Sequence, residues 1–376
     1  MEEMRGRRIV ALRQLLRLTQ TDLADLTGIS QPHLSLMERG ERTVSDESVH
    51  QIAVATSMPT TFFDMIPSDI TAKSLTFRKT AGSSVASRDA VVVRYSELER
   101  ISTELTRNQG LGQAELPFAD GDLFGDDIEE LAERTRVALK LEPLDPIRNL
   151  TRAMERAGIA IAPLVADGDP DGLMHGHDGV SWARPEAYSF LVGYVPGRSG
   201  DRARLSKGHE LGHIVLHTYR PWVLDKIKER EAFRFAGALL VPADAMRSAV
   251  SNTLSLNGFV KLKAQWGVSI AALITRAKDL DLISDSRAKS LWIQLSSKGW
   301  RKQEPVLVGN EEPKLLWHLL VSEFGAEPYM RATHNLGMRP DLLREWIPEG
   351  SGEPGRLPKT ETTTGSIRSN VVSLFK

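Results

Sequence analysis

The 376-residue chain contains no cysteine. That excludes a disulfide framework, a zinc ribbon, an iron–sulfur cluster and a thiol nucleophile, so any metal must be held by His, Asp and Glu. Nor is there an excess of either charge: 48 Lys+Arg stand against 49 Asp+Glu, a formal net of −1. A wholly basic nucleic-acid coat and an acidic tail protein are thereby excluded, but a local basic face is not. No apolar run reaches the ~18 residues needed to span a bilayer. The first ten residues, MEEMRGRRIV, hold no apolar signal core. A cytoplasmic protein with no membrane partner is therefore expected, and the length suggests two or three domains at ~150 residues each.

Residues 1–66 read as five short helices. Ile9, Leu12, Leu15 and Leu16 recur at helical spacing. Thr19 can cap a second helix that stops at Gly28, and Ser30 a third that stops at Gly40. Two more fit around 49–55 and 60–65. Gly28 allows a tight turn, Ile29 plugs the angle between helices, and Leu34 and Met37 bury the inner face of the third. Gln31, His33, Ser35 and Leu36 then lie on or near its outer, N-terminal side, where a helix entering a major groove reaches base edges. Against this, residues 1–66 hold seven Arg, no Lys and nine acidic residues, a net of −2, and only residues 1–17 are basic, at +3. Phosphate attraction dominates much of DNA affinity. A fold shaped for DNA here has little electrostatic pull, and docking a protein or sensing single strands are alternative uses.

Residues 209–213 read His-Glu-Leu-Gly-His. On a helix, His209 and His213 lie one turn apart on one face, about 5–6 Å between Cβ atoms, and two such imidazoles can share a tetrahedral Zn²⁺. Glu210 sits beside them as a candidate general base. His217 lies about 12 Å along the axis from His209, too far for all three to grip one ion, and reads as support or packing. The next helix offers the third ligand. Glu229 shares a face with Ala232, Phe233, Ala236 and Leu240, an apolar stripe pointing inward. Glu231 has a partial stripe of its own with Phe235, Ala238 and Leu239. Glu229 is favoured and Glu231 stays open. Candidates for an electrophile beside the metal are His175, His177 and Tyr219.

Between these motifs, 67–127 reads as a linker with a connecting amphipathic helix over 91–108. Residues 115–134 hold eight acidic residues and one basic one, a solvated loop leading into a helix. Residues 128–300 form the larger body. Helices fit 128–140 and 146–157, and a small antiparallel sheet fits 159–164, 180–183 and 188–195. More helices fit 201–218, 226–240, 256–265, 269–279 and 284–298. Residues 301–348 form a helical C-terminal region, within which 332–346 is weakly helix-turn-helix-like and more simply a helical hairpin. Residues 349–376 are expected to be disordered. The fold class is mainly α with an α+β body.

Residues 5–65 resemble the repressor-type (XRE) helix-turn-helix family. By that resemblance Gln20, Gln31, Pro32, His33, Leu36 and Arg42 fall near DNA. Residues 204–217, Arg-Leu-Ser-Lys-Gly-His-Glu-Leu-Gly-His-Ile-Val-Leu-His, with Glu229-x-x-Ala-x-x-Phe-Ala-x-x-Leu-Leu-x-Pro242 after them, resemble the ImmA/IrrE family of zinc metallopeptidases. In that family a helix-turn-helix is often fused ahead. The likeness extends to Phe77-Arg78, 146–161, Asp171-Gly172, 266–269 and 299–301. It implies His209, His213 and Glu229 as zinc ligands, as in a gluzincin, with Glu210 as general base. Two residues depart from the family pattern: Gly208 stands where Ala is usual, and Phe233 where Asn is usual. The resemblance further implies cleavage of a cognate helix-turn-helix repressor upon DNA damage or stress, in bacteria, phages or mobile elements. The alternative is a DNA-binding repressor whose metal domain senses or scaffolds without proteolysis. A homodimer is compatible with either.

Overall fold

The structure, a computed structural model, describes residues 2–72, 74–75, 85–112, 114–165, 169, 172, 174, 178–350 and 371–372. The chain divides into two compact units. One comprises Met1–Leu111, Ala162–His177 and Lys314–Leu357, the other Gly112–Ile161, Asp178–Pro313 and Pro358–Lys376. The strand-like stretch expected at 75–78, with Phe77 and Arg78, falls almost wholly outside the described residues, as does nearly all of the tail 349–376.

The first unit opens with α1 (Glu2–Leu15), α2 (Gln20–Thr27), α3 (Gln31–Glu38) and α4 (Asp46–Thr56), and then a 3₁₀ turn (Thr60–Asp64). Thr19 caps α2 reciprocally: its Oγ1 accepts from the Asp22 N–H (3.1 Å), and Asp22 Oδ2 accepts from the Thr19 N–H (2.8 Å). Gly28 ends α2 at φ 72°, a backbone setting in which a Cβ is strained. Leu23, Leu34 and Met37 are fully buried and Ile29 nearly so. Val85–Asn108 forms the long α5. It begins before residue 91 and is not one-faced, because every residue from 90 to 98 is buried. Helices pack on it from several sides, so its polar groups need internal partners. Ser96 Oγ donates to the Val92 carbonyl (2.7 Å). Glu97 is paired with Arg8 of α1 and with Arg100. Arg8 also donates to the Phe62 carbonyl (2.9 Å) and lies over the Phe62 ring.

The second unit contains β1 (Phe118–Ala119), α6 (Asp127–Ala138) and α7 (Leu150–Arg156), then β2 (Ala160–Pro163), β3 (Gly179–Ser181) and β4 (Leu191–Tyr194). The acidic run is not simply solvated: Glu129 is buried and receives both Nη atoms of Arg276 at 2.6 Å. α7 starts at residue 150 rather than 146. The Asn149 side chain accepts from the Arg152 N–H (2.8 Å), and the Glu311 carboxylate takes the Leu150 and Thr151 N–H groups (3.0 and 2.8 Å). The three-stranded sheet has the order β2-β4-β3, with β3 and β4 antiparallel. Then come α8 (Gly200–His217), α9 (Asp225–Leu240), α10 (Ala243–Ala249), α11 (Leu256–Trp266), α12 (Ile270–Asp279) and α13 (Asp285–Ser297). The short α10, which the sequence pattern does not announce, starts a new helix directly after Pro242, its N-cap residue. One hydrophobic core, from Leu116 and Phe118 through Leu211, Ile214, Phe235 and Leu239 to Leu273 and Leu295, surrounds α8 and α9.

α14 (Leu315–Phe324), α15 (Pro328–Leu336) and α16 (Pro340–Trp346) return to the first unit. α14 packs on α5, and α15 on the 3₁₀ turn. Arg100 donates to the Leu336 carbonyl (2.6 Å), and Arg339 to the Thr56 carbonyl (3.1 Å). The segment 332–346 is thus a helical hairpin packed on the N-terminal helices. Among the described residues no helix is long and apolar enough to cross a membrane.

Burial acts to raise Glu97, but Arg100 and Arg8 together hold its carboxyl below the ordinary carboxylate value, about 4.3 when unfolded. A group depressed in the folded state contributes its full stability above that unfolded value, and loses it as pH falls through the folded one. Removing one partner of a buried pair costs about 3–5 kcal/mol. Glu97→Gln is expected to destabilise the first unit by that order in urea unfolding at pH 7. Below about pH 4.3 the gap from the unmodified protein should shrink.

Candidate functional sites

α8 and α9 approach closely because small residues face each other. A Cβ placed on Gly212 would lie 3.0 Å from a Phe235 ring carbon and 3.1 Å from the Ala232 Cα. One on Gly208 would touch the Ala236 Cβ at 3.5 Å. This approach carries Glu229 of α9 over the His209–His213 face of α8. The two Nε2 atoms are 3.0 Å apart. Glu229 Oε1 is 3.3 Å from His213 Nε2, and Oε2 is 3.7 Å from His209 Nε2. Ligands about 2.0–2.2 Å from one ion at tetrahedral angles lie roughly 3.3–3.6 Å apart, so the donor set fits Zn²⁺. Among the described residues it is the one such group of His and acidic side chains.

Glu210 is buried, and its Oε2 accepts from Ser181 Oγ at 2.6 Å. Strand β3 passes so near that a Cβ on Gly179 would lie 2.9 Å from Glu210 Cγ. Gly179 and Ser181, two apart on a strand, share its face. Neither was singled out from the sequence, where the available signal was only a pair of small residues at that spacing.

Behind the His pair runs a buried chain. His213 Nδ1 lies 3.0 Å from His217 Nδ1, and His217 Nε2 lies 3.1 Å from Glu231 Oε2. Glu231 in turn accepts from Arg220 Nη1 (2.9 Å). Burial pushes His217 down to about 4, so it is neutral at pH 7. Burial tends to raise Glu231, but His217 and Arg220 hold it down at about 2. The network assigns the tautomers: His217 Nε2–H donates to Glu231, His213 Nδ1–H donates to His217, and His213 Nε2 is left with a lone pair facing Glu229. Glu231, the alternative to Glu229, is directed into this chain and away from the group of three.

Phe233 departs from the inward stripe. It is 42% exposed, and its ring covers His209 with centroids 4.2 Å apart. Tyr219 sets its ring edge-on against Phe118 (5.4 Å) in the core. His175 and His177 fall outside the described residues.

In the first unit Gln31, Pro32 and Arg42 are exposed, while Gln20, His33 and Leu36 are half-buried. Gln31 Nε2 donates to Gln20 Oε1 and Gln20 Nε2 to Glu38 Oε2, both at 2.7 Å. Arg13 holds Glu38 (2.9 and 3.2 Å). The structure thus brings the two glutamines together at the starts of α2 and α3.

Two outcomes are expected. His217→Ala should lower affinity for added zinc about 10–100-fold in competition with a chromophoric chelator; unchanged affinity would mean that His213 is oriented without it. Gly212→Val, inserting bulk against the α9 backbone, should cost about 1–3 kcal/mol in denaturant unfolding.

Compared with known proteins, residues 9–63 match the Helix-turn-helix family (HTH_3), and residues 197–278 match the IrrE N-terminal-like domain of peptidase family M78. No curated protein matches the chain. The second match begins just ahead of α8 and runs to the end of α12, enclosing both motif helices. The chain thus joins an XRE-type helix-turn-helix domain at residues 9–63 to an IrrE N-terminal-like domain of peptidase family M78 at residues 197–278.

Proposed function

We propose that the chain is a zinc-dependent endopeptidase and regulator that cleaves a cognate helix-turn-helix repressor in response to DNA damage or stress, with its N-terminal domain binding DNA. The observation that carries the reading is the Glu210 carboxylate, gripped by Ser181, next to three donors spaced for one tetrahedral ion. His209, His213 and Glu229 hold the zinc. When bound, it supplies Lewis acidity that activates water and polarises the scissile carbonyl. Glu210 takes the proton from the attacking water and delivers it to the leaving amine. Ser181 keeps that carboxylate from swinging away, and the His217–Glu231–Arg220 chain keeps His213 in its ligating tautomer. For the N-terminal domain, Gln20 and Gln31 are the base-reading pair, a side-chain type suited to adenine.

Glu210→Gln is expected to abolish cleavage of a co-expressed cognate helix-turn-helix repressor, with zinc content and DNA binding kept. If the unmodified protein never cleaves that repressor, and the variant behaves identically in cells, the reading fails. What would remain is a DNA-binding regulator whose metal centre senses or scaffolds. On the operator DNA of that cognate repressor, the full chain should bind with a shallow dependence on salt, since the few cations of residues 1–66 release few counterions. No binding even at low salt would overturn the DNA assignment.

A further inference from the structure

We propose that a cavity opening beside Phe233 receives the substrate, and that it takes a polypeptide segment carrying a large apolar side chain next to a carboxylate. This rests on the peptidase reading above. The two site helices run antiparallel: His213 faces Glu229, His209 faces Phe233, and Gly208 faces Ala236. One turn beyond the His209–Phe233 level come Leu205 on α8 and Gly237 on α9. Both line a cavity of about 810 Å³, and Phe233 lines it as well. The cavity therefore begins at the ring that covers a candidate metal ligand. Its size is within the ~300–1,000 Å³ range of ligand pockets.

The distance suits a peptide. One helical turn is about 5.4 Å, and an extended chain advances about 3.3 Å per residue. The side chain one or two residues from the scissile bond then reaches the cavity. Leu205, Phe233 and Trp292 give it apolar walls, and Gly237 leaves room where any larger residue would press on Arg276. The charges are unequal. Of the arginines in the wall, Arg276 is neutralised by Glu129. Arg234 reaches Asp126 and Glu129 only at 3.7 Å. Arg230 is exposed and has no ion-pair partner among the described residues. Of the wall carboxylates, Glu231 is already held by His217 and Arg220. Asp279 lies three residues beyond Arg276 on α12. An unneutralised arginine one turn before Phe233 therefore favours a carboxylate beside the apolar side chain.

The test uses the full-length, zinc-loaded Glu210→Gln protein and fluorescein-labelled peptides that differ only at a central pair, Glu-Leu, Lys-Leu or Glu-Gly. Glu-Leu is expected to bind about ten- to a hundredfold more tightly than Glu-Gly, the worth of burying one leucine side chain, and more tightly than Lys-Leu. Thr275→Trp, which fills the cavity from an exposed position on α12, should erase the leucine preference. Arg230→Glu should reverse the Glu-over-Lys preference. Equal binding of all three peptides overturns the proposal. If the unmodified protein cleaves its repressor while neither substitution alters binding or the choice of bond, the subsite alone fails. If the binding preferences hold but nothing is cleaved, the peptidase reading alone fails and the cavity stands as a peptide site.

Discussion

Everything at the candidate metal centre depends on how close α9 can come to α8. The donor atoms must converge within a few tenths of an ångström of tetrahedral spacing, and they sit on two different helices. The approach is set by glycine and alanine: Gly212 against Ala232, and Gly208 against Ala236. A glycine inside a helix costs about 1 kcal/mol of propensity relative to alanine, so two of them in α8 are a local penalty. That penalty is offset by the burial of α8 along nearly its whole length. Gly208, which departs from the family pattern, lies in this contact too, with room for an alanine methyl at an ordinary 3.5 Å from the Ala236 Cβ, so Gly212 is the tighter of the two.

A helix so buried must satisfy its polar side chains internally, and α8 does so in two directions. At its C-terminal end His213 turns its second nitrogen to His217, and His217 turns its own to Glu231, which Arg220 holds. At its N-terminal end Lys207 donates to Thr151 and to the Glu311 carbonyl. Lys263 of α11 meets both Asp201 and Glu304. These partners come from distant parts of the sequence. They lock the rotation of α8 about its axis, and that rotation decides whether His209 and His213 face Glu229. Half-satisfied networks of this kind would be costly, so the geometry of the centre and the integrity of the unit are one constraint.

How much could be read beforehand follows from how local each interaction is. The His-Glu-x-x-His spacing was legible because one helical turn fixes it. Glu229 was legible as a face of α9, though its separation from Glu231 needed three-dimensional partners, His217 and Arg220. Ser181 and Gly179 were not legible: their position over Glu210 depends on how β3 packs against α8, which no short window encodes. Helical phase alone makes Phe233 a core residue. Yet phase gives only direction, and a site mouth lies in the same direction as a core. The buried Glu129 was hidden by its acidic neighbours. The helices of residues 1–66 were legible down to the Thr19 cap and the Gly28 stop because these signals are local, whereas the packing of residues 315–346 on them is a contact across most of the chain.

That last contact has a bearing on synthesis. The unit that includes the helix-turn-helix is discontinuous in sequence, since its helices α1–α5 wait for α14–α16. At the usual ~5–20 residues per second, some tens of seconds separate the emergence of Leu111 from that of Lys314. During that interval Arg100 lacks the Leu336 carbonyl, and the apolar surface of α5 lacks α14. The nascent unit that holds the helix-turn-helix therefore spends this time as an open half-core, while most of the other unit is made.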